Sequence, residues 1–257
     1  MADAPAPRMH LLVRDGSPVD PIAIGRDAAG ARAVAEFYAP GPGTSVRAML
    51  NTSLDGAIAG ADGTSGTLRN DDDSFVFGVL RALTDVILVG ASTVRVEDYT
   101  RRRGRADLRE PSRRPSGAEI PHLAVMTTTG DLPPDLAEHG PTLLVCPPDA
   151  VSRVTRASGF APDAVLAADG PREIVAALAA RGLRAIQLEG GPTAVGRFAA
   201  AGALTELCLS TSFLTVGGDS PRLTDGPAHE ADWELRSLLA GERASCARYS
   251  RRPDART

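Results

Sequence analysis

The run Val86-Ile87-Leu88-Val89 offers no polar face to water, which restricts it to a strand buried on both sides. It stops at Gly90-Ala91-Ser92-Thr93. Two more strand-like runs, 123–126 and 184–188, stop in the same way, at Thr127-Thr128-Thr129-Gly130 and at Glu189-Gly190-Gly191-Pro192-Thr193. Amphipathic stretches separate them. Phe75, Val79 and Leu83 recur every fourth residue, with Val76 and Leu80 one place on, behind candidate N-caps at 70–73. Residues 171–181 carry a second helical pattern closed by Gly182.

This alternation predicts an α/β fold, three-layered α/β/α around a mainly parallel central sheet. Further strands are expected at 46–51, 57–59, 142–146, 164–167 and 206–212, with 235–239 and 244–249 making a C-terminal antiparallel edge. Residues 9–14 read as a short edge strand and 28–38 as a helix, so 1–43 is expected to be an N-terminal arm packed on a single domain, 44–257.

In open α/β sheets ligands sit outside the carboxyl ends of the strands. At the end of 184–188 the glycines admit close approach to the backbone, Pro192 suits a first helical position, and the N–H groups of a helix start suit a phosphate. A dinucleotide phosphate site with Glu189 beside it and an ordinary strand-to-helix connection both fit this turn.

All 28 basic residues are arginine, which excludes a lysine Schiff base and a P-loop lysine. The dinucleotide fingerprint G-x-G-x-x-G is also missing. With a formal net charge of −4, nothing draws the chain as a whole to nucleic acid or an anionic membrane. No apolar run approaches a membrane span, and no basic-then-apolar leader opens the sequence. Cys146, Cys208, Cys246 and the four histidines fall in no metal-ligand spacing, so no metal is expected and a reducing cytoplasmic setting is. The basic stretch Arg101-Arg102-Arg103-Gly104-Arg105 with Arg113-Arg114 reads either as a solvated loop or as a grip on substrate phosphate. Arg81 reads either as a helix C-terminal cap or as a cleft residue.

Four linked motifs, Ser53-Leu54-Asp55-Gly56, Leu80-Arg81-Ala82, 85–90 with Thr93-Val94-Arg95, and Glu189-Gly190-Gly191-Pro192-Thr193, resemble the reductase domain of riboflavin biosynthesis in order and spacing. The resemblance runs over about residues 46–223. It implies the dihydrofolate-reductase-like fold and NADPH-dependent reduction of the ribosyl group of a ribosylaminopyrimidine 5′-phosphate, 2-oxo or 2-amino, to ribityl. It also implies a cytoplasmic homodimer whose partner is this small molecule, without nucleic acid or membrane.

The N-terminal arm and Arg248-Tyr249 look closest to stand-alone actinobacterial members. The zinc deaminase pattern often fused upstream in the family is absent from this sequence, so deamination is expected elsewhere.

Matched residue by residue, the resemblance implies that Glu189 contacts substrate and serves catalysis. Asp55 is implied to be catalytic, with a structural turn cap as the alternative. Ser65 and Arg81 fall on substrate positions, and Arg101 near one. Thr52, Thr67, Gly90, Thr93, Glu97 and the turn Gly190, Gly191, Pro192, Thr193 and Gly196 fall on cofactor positions, with Thr127 or Thr128 on the adenosine side. Two departures stand out. Met49 occupies a position where many members carry lysine, leaving Asn51 or Arg47 to substitute for its catalytic help, and Glu97 replaces the usual aspartate. A reductase of the same scaffold acting on a dihydropterin or a secondary-metabolite imine is one alternative; a non-catalytic nucleotide-binding protein is another.

Overall fold

The computed structural model describes residues 8–97, 99 and 102–253. In chain order the elements are β1 (Arg8–Arg14), β2 (Ser17–Gly25), α1 (Ala28–Phe37), β3 (Ser45–Ser53), α2 (Asp71–Ala82), β4 (Val86–Gly90), α3 (Ala91–Val96), β5 (His122–Met126), β6 (Thr142–Cys146), α4 (Val151–Ser158), β7 (Val165–Ala167), α5 (Pro171–Ala180), β8 (Ala185–Leu188), α6 (Pro192–Ala200), β9 (Glu206–Ser212), β10 (Trp233–Ala240) and β11 (Ala244–Arg251). The strands form one sheet in the order β2-β1-β10-β11-β9-β3-β8-β4-β5-β6-β7. Pairing is parallel from β9 through β3, β8, β4, β5 and β6 to β7. It is antiparallel from β9 through β11, β10 and β1 to β2.

The apolar run of β4 serves two cores. Val86 and Leu88 join Ile186, Leu188, Val195 and Phe198 on one face of the sheet. Ile87 and Val89 join Leu123, Val125, Val94 and Val154 on the other. A third core lies under α1 and α2, where Phe75, Val76, Val79 and Leu80 of α2 meet Met49 and Cys208. Asn70 starts α2, its Oδ1 accepting the amides of Asp72 and Asp73 at 3.1 Å each, with Asp71, Asp72 and Asp73 in the first turn where the dipole favours them. Asp85 is fully buried ahead of β4. Its carboxylate accepts the amides of Ser116, Arg184 and Ala185 at 2.9, 3.0 and 2.9 Å, which fixes the start of β8 against β4.

The α/β architecture and the mainly parallel sheet are as expected. The predicted strand at 9–14 is not an edge, because β2 lies outside it. Pro18, Asp20 and Pro21 disguise β2, whose exposed outermost place tolerates residues that cannot complete a ladder. The strand expected at 57–59 is a turn closed between Ser53 and Ala57: the Ala57 amide donates to Ser53 Oγ at 2.9 Å, and the Ser53 amide to the Ala57 carbonyl at 2.9 Å. Among the described residues no helix is long and apolar enough to cross a membrane.

Candidate active site

Glu189 directly follows β8, and its amide donates to the Leu88 carbonyl of β4 at 3.0 Å. The side chain is only 4% exposed. Arg81, near the end of α2, grips it with both ends of the guanidinium fork, Nε to Oε1 at 2.9 Å and Nη2 to Oε2 at 2.6 Å. Gln187, two residues back on the same side of the strand, donates Nε2 to Oε1 at 2.7 Å. Its own Oε1 lies 3.1 Å from the Thr84 hydroxyl, and the acceptor-only Glu189 carboxylate requires the NH2 end on its side. The Arg81 guanidinium lies 4.4 Å from the centre of the Phe77 ring and 5.5 Å from that of Tyr99. Tyr99 is buried, and its hydroxyl faces the Glu189 charge. Burial first, and then the Glu189 charge, push the phenol well above its ordinary pKa.

Three of these groups, Gln187, Tyr99 and Phe77, were not foreseen. Gln187 carried a signal, a polar residue on a buried strand two places from a carboxylate; Tyr99 and Phe77 carried none.

The arginine-rich stretch is neither a solvated loop nor a phosphate grip at its two buried members. Arg102 is wholly buried, with Nη2 to the Gly140 carbonyl at 3.1 Å, Nη1 to Thr142 Oγ1 at 3.2 Å and Nε to the His139 carbonyl at 3.3 Å. Arg114 is 3% exposed and binds five carbonyls, those of Thr84 and Glu119 at 2.8 Å, Arg103 at 2.8 Å, Arg81 at 3.0 Å and Ala118 at 3.1 Å. Burial draws both guanidinium groups down to about 10. Both arginines staple the loop to the body, and Arg114 also holds the last turn of α2, hence Arg81, in place. Arg101 lies outside the described residues.

A cavity of about 410 Å³ opens at the carboxyl ends of β4, β5 and β6. Its lining includes Gly90, Thr127, Thr128 and Thr193 of the expected cofactor set, together with Ser92, Arg95 and Arg197. Gly90 ends β4, which pairs with β8, so the cavity and the Glu189 carboxylate belong to neighbouring strand ends, about 5 Å apart in the sheet. Gly190 precludes a clash, since a Cβ there would meet Ala194 Cβ at 2.8 Å, whereas Gly191 faces open space.

The remaining predicted residues are not themselves in this lining. Gly196 faces away from this lining: a Cβ on it would meet the Asp225 carbonyl oxygen at 2.2 Å, so it serves close packing of the 220s loop on α6. Thr52 is buried in β3, and Pro192 starts α6. The Thr93 carbonyl accepts the Glu97 amide at 2.8 Å. Ser65 donates to Glu97 Oε1 at 2.9 Å, and the Thr67 hydroxyl lies against Gly60.

Asp55 is exposed and holds a turn. It accepts the Ser53 hydroxyl, the Val216 amide at 3.1 Å and the Gly217 amide at 2.7 Å. Ser53, then Gly217 and Val216, pull its carboxyl from 3.8 to about 2. A lowered carboxyl pKa stabilises above the unfolded value and ceases to as pH falls through the folded one. The anchor is therefore complete above about pH 4 and lost as pH falls through about 2. Asp55→Asn is expected to speed hydrogen exchange of the Val216 and Gly217 amides at least about tenfold; unchanged exchange contradicts the anchor.

Met49 belongs to the core under α2. Neither neighbour substitutes for a lysine there. Arg47 is buried in a fork on Glu206, Nε to Oε2 at 2.8 Å and Nη2 to Oε2 at 2.7 Å. Asn51 donates to the Leu68 carbonyl at 2.9 Å and accepts from Ser212 at 2.9 Å. Among the described residues no group of three or more His, Cys, Asp or Glu side chains could hold a metal ion.

Residues 44–246 match the family model of the RibD C-terminal domain. The chain belongs to that family. This RibD C-terminal domain protein is similar to riboflavin biosynthesis protein RibD of Mycobacterium tuberculosis, 28% identical over 179 residues that span 68% of this chain and 43% of the relative. The chain thus spans less than half the length of that curated relative. The RibD C-terminal domain fold is shared with a pyrimidine reductase-like protein from Corynebacterium diphtheriae, at a TM-score of 0.69 and 22% identity over 82% of this chain and 93% of that one. The riboflavin biosynthesis reductase of Saccharomyces cerevisiae superposes with a TM-score of 0.61 at 13% identity, over 86% and 98% of the two chains.

Proposed function

We propose that the chain is a pyrimidine reductase of riboflavin biosynthesis that uses NADPH to convert the ribosyl group of a ribosylaminopyrimidine 5′-phosphate, 2-oxo or 2,5-diamino, to ribityl. One observation carries the reading: a buried carboxylate, Glu189, is fixed by Arg81 and Gln187 beside the buried Tyr99, one strand from the end that opens the cavity of about 410 Å³. Family membership and the fold shared with reductases support it.

The residues fit the cofactor. Open space at Gly191 exposes the backbone before α6; Pro192 has no N–H and the Ala194 and Val195 amides donate to the Gly191 carbonyl at 3.0 and 3.2 Å, so it is the Thr193 amide and the positive end of the helix dipole that suit a phosphate. When bound, NADPH supplies the hydride. The chain's own residues hold the ribose carbon in reach and manage charge. The Glu189 carboxylate favours the protonated, iminium form of the ring-opened substrate over the neutral imine, and the iminium carbon is the more electrophilic of the two. The Tyr99 hydroxyl, held protonated by burial and by the Glu189 charge, is a donor rather than a base.

The reading includes a reducing cytoplasmic setting, which the three free buried cysteines suit. It also includes a homodimer. Leu207, Tyr249 and Leu235 pair across β9, β11 and β10 and are half-buried on the sheet face opposite Cys208 and α2, an apolar face that a second copy can cover. Sedimentation at the mass of one chain would exclude the dimer.

The test is loss of nicotinamide absorbance when the protein is given NADPH and the ribosylaminouracil 5′-phosphate, with NADH in parallel. Oxidation of NADPH is expected. Binding of NADPH without oxidation would sink the substrate assignment and direct attention to a dihydropterin or another imine.

A further inference from the structure

A substrate that reacts at Glu189 has to touch it, yet the carboxylate is walled in, with 4% of the side chain exposed. Two of its neighbours are fixed: Arg81 by its two-bonded fork, and Gln187 as a wholly buried residue of β8. The third, Tyr99, belongs to no helix or strand, although it is only 6% exposed. Its ring lies 5.5 Å from the Arg81 guanidinium, and its hydroxyl faces the Glu189 charge. A flat ring beside a guanidinium, with a protonated donor turned to a carboxylate, presents the same chemistry as a pyrimidine carrying an iminium N–H.

The tether for Tyr99 lies two residues earlier. Glu97 closes α3 with its amide on the Thr93 carbonyl, and its carboxylate accepts the Ser65 hydroxyl at 2.9 Å. Ser65 begins a short 3-10 turn, Ser65–Leu68, in the connection after β3, whereas α3 follows β4; β8 lies between those two strands. The Ser65–Glu97 bond therefore crosses the carboxyl end of β8, the end that carries Glu189. Both partners are exposed, so water readily replaces this bond. Resting on the assignment of Glu189 to the reaction, we propose that Tyr99 is a gate, latched by Ser65 and Glu97, that fills the place of the substrate ring and swings away before the ribosylaminopyrimidine reaches Glu189. Opening is a step of substrate binding separate from cofactor entry, because Ser65, Glu97 and Tyr99 are all outside the lining of the 410 Å³ cavity.

Stopped-flow binding of the ribosylaminouracil 5′-phosphate to the full chain tests this without NADPH and so without turnover, followed by the ultraviolet absorbance of the pyrimidine. Wild type, Ser65→Ala, Tyr99→Ala and the double variant are compared, with circular dichroism to show that each is folded. In wild type the observed rate is expected to level off with substrate concentration at the rate of opening. Loss of the latch should raise that plateau about fivefold in Ser65→Ala. Tyr99→Ala should abolish the plateau, and adding Ser65→Ala to it should change the rate less than about twofold, since nothing is left to latch. A wild-type rate that rises in proportion to concentration, a plateau that Ser65→Ala does not move, or a Ser65 effect that persists without Tyr99 overturns the gate and leaves the substrate reading standing. Binding by Tyr99→Ala alone supports a gate that stays shut; binding by neither wild type nor Tyr99→Ala overturns the substrate reading and the gate with it.

Discussion

Glu189→Gln is expected to lower kcat about a thousandfold while leaving NADPH affinity within about threefold. The amide keeps the shape of the side chain and loses its charge, so the cationic iminium sits near Arg81 without the carboxylate that favours its protonation. Glu189 does not line the cavity assigned to the cofactor, which is why binding and turnover should separate. Breaking a buried ion pair from one side also costs stability, about 3 kcal/mol, so the rates are to be read well below the melting range. A kcat within threefold of wild type would remove Glu189 from the chemistry.

Arg114→Met is expected to lower unfolding free energy by about 4 kcal/mol, read from urea denaturation. Five backbone carbonyls lose their donor, and in a site that is 3% exposed water does not replace it. Because one of the five belongs to Arg81, turnover should fall as well, in protein still folded at low temperature. A loss under 1 kcal/mol would show that the loop is held by other contacts.

Much of the sheet was legible because β4 is buried on both faces, so that its sequence needs no alternation, and because Asn70 sits one residue before a helix whose apolar rows match its period. Glu189 was legible for the same reason: a carboxylate at the end of such a strand, before a glycine pair, has few structural uses. Its partners were not. Arg81 and Glu189 are 108 residues apart, and a helix-end arginine has the same local sequence whether it caps carbonyls or crosses to a strand. Arg102 and Arg114 look like solvent-facing arginines in a basic run, and only the fold supplies the carbonyls they bind. β2 was hidden because an edge strand with prolines lacks both the pattern and the propensity of a central one. Asp55 illustrates the opposite limit: the motif was visible, but its bonds to Val216 and Gly217 depend on a loop 161 residues away.

The most direct measurement is a single-turnover reaction with NADPH deuterated at the transferring position of the nicotinamide and the ribosylaminouracil 5′-phosphate, followed by mass spectrometry of the pyrimidine product. The account predicts a ribityl product carrying one deuterium at C1. A recovered, unreduced ribosyl substrate, or a reduced product without deuterium, would contradict it.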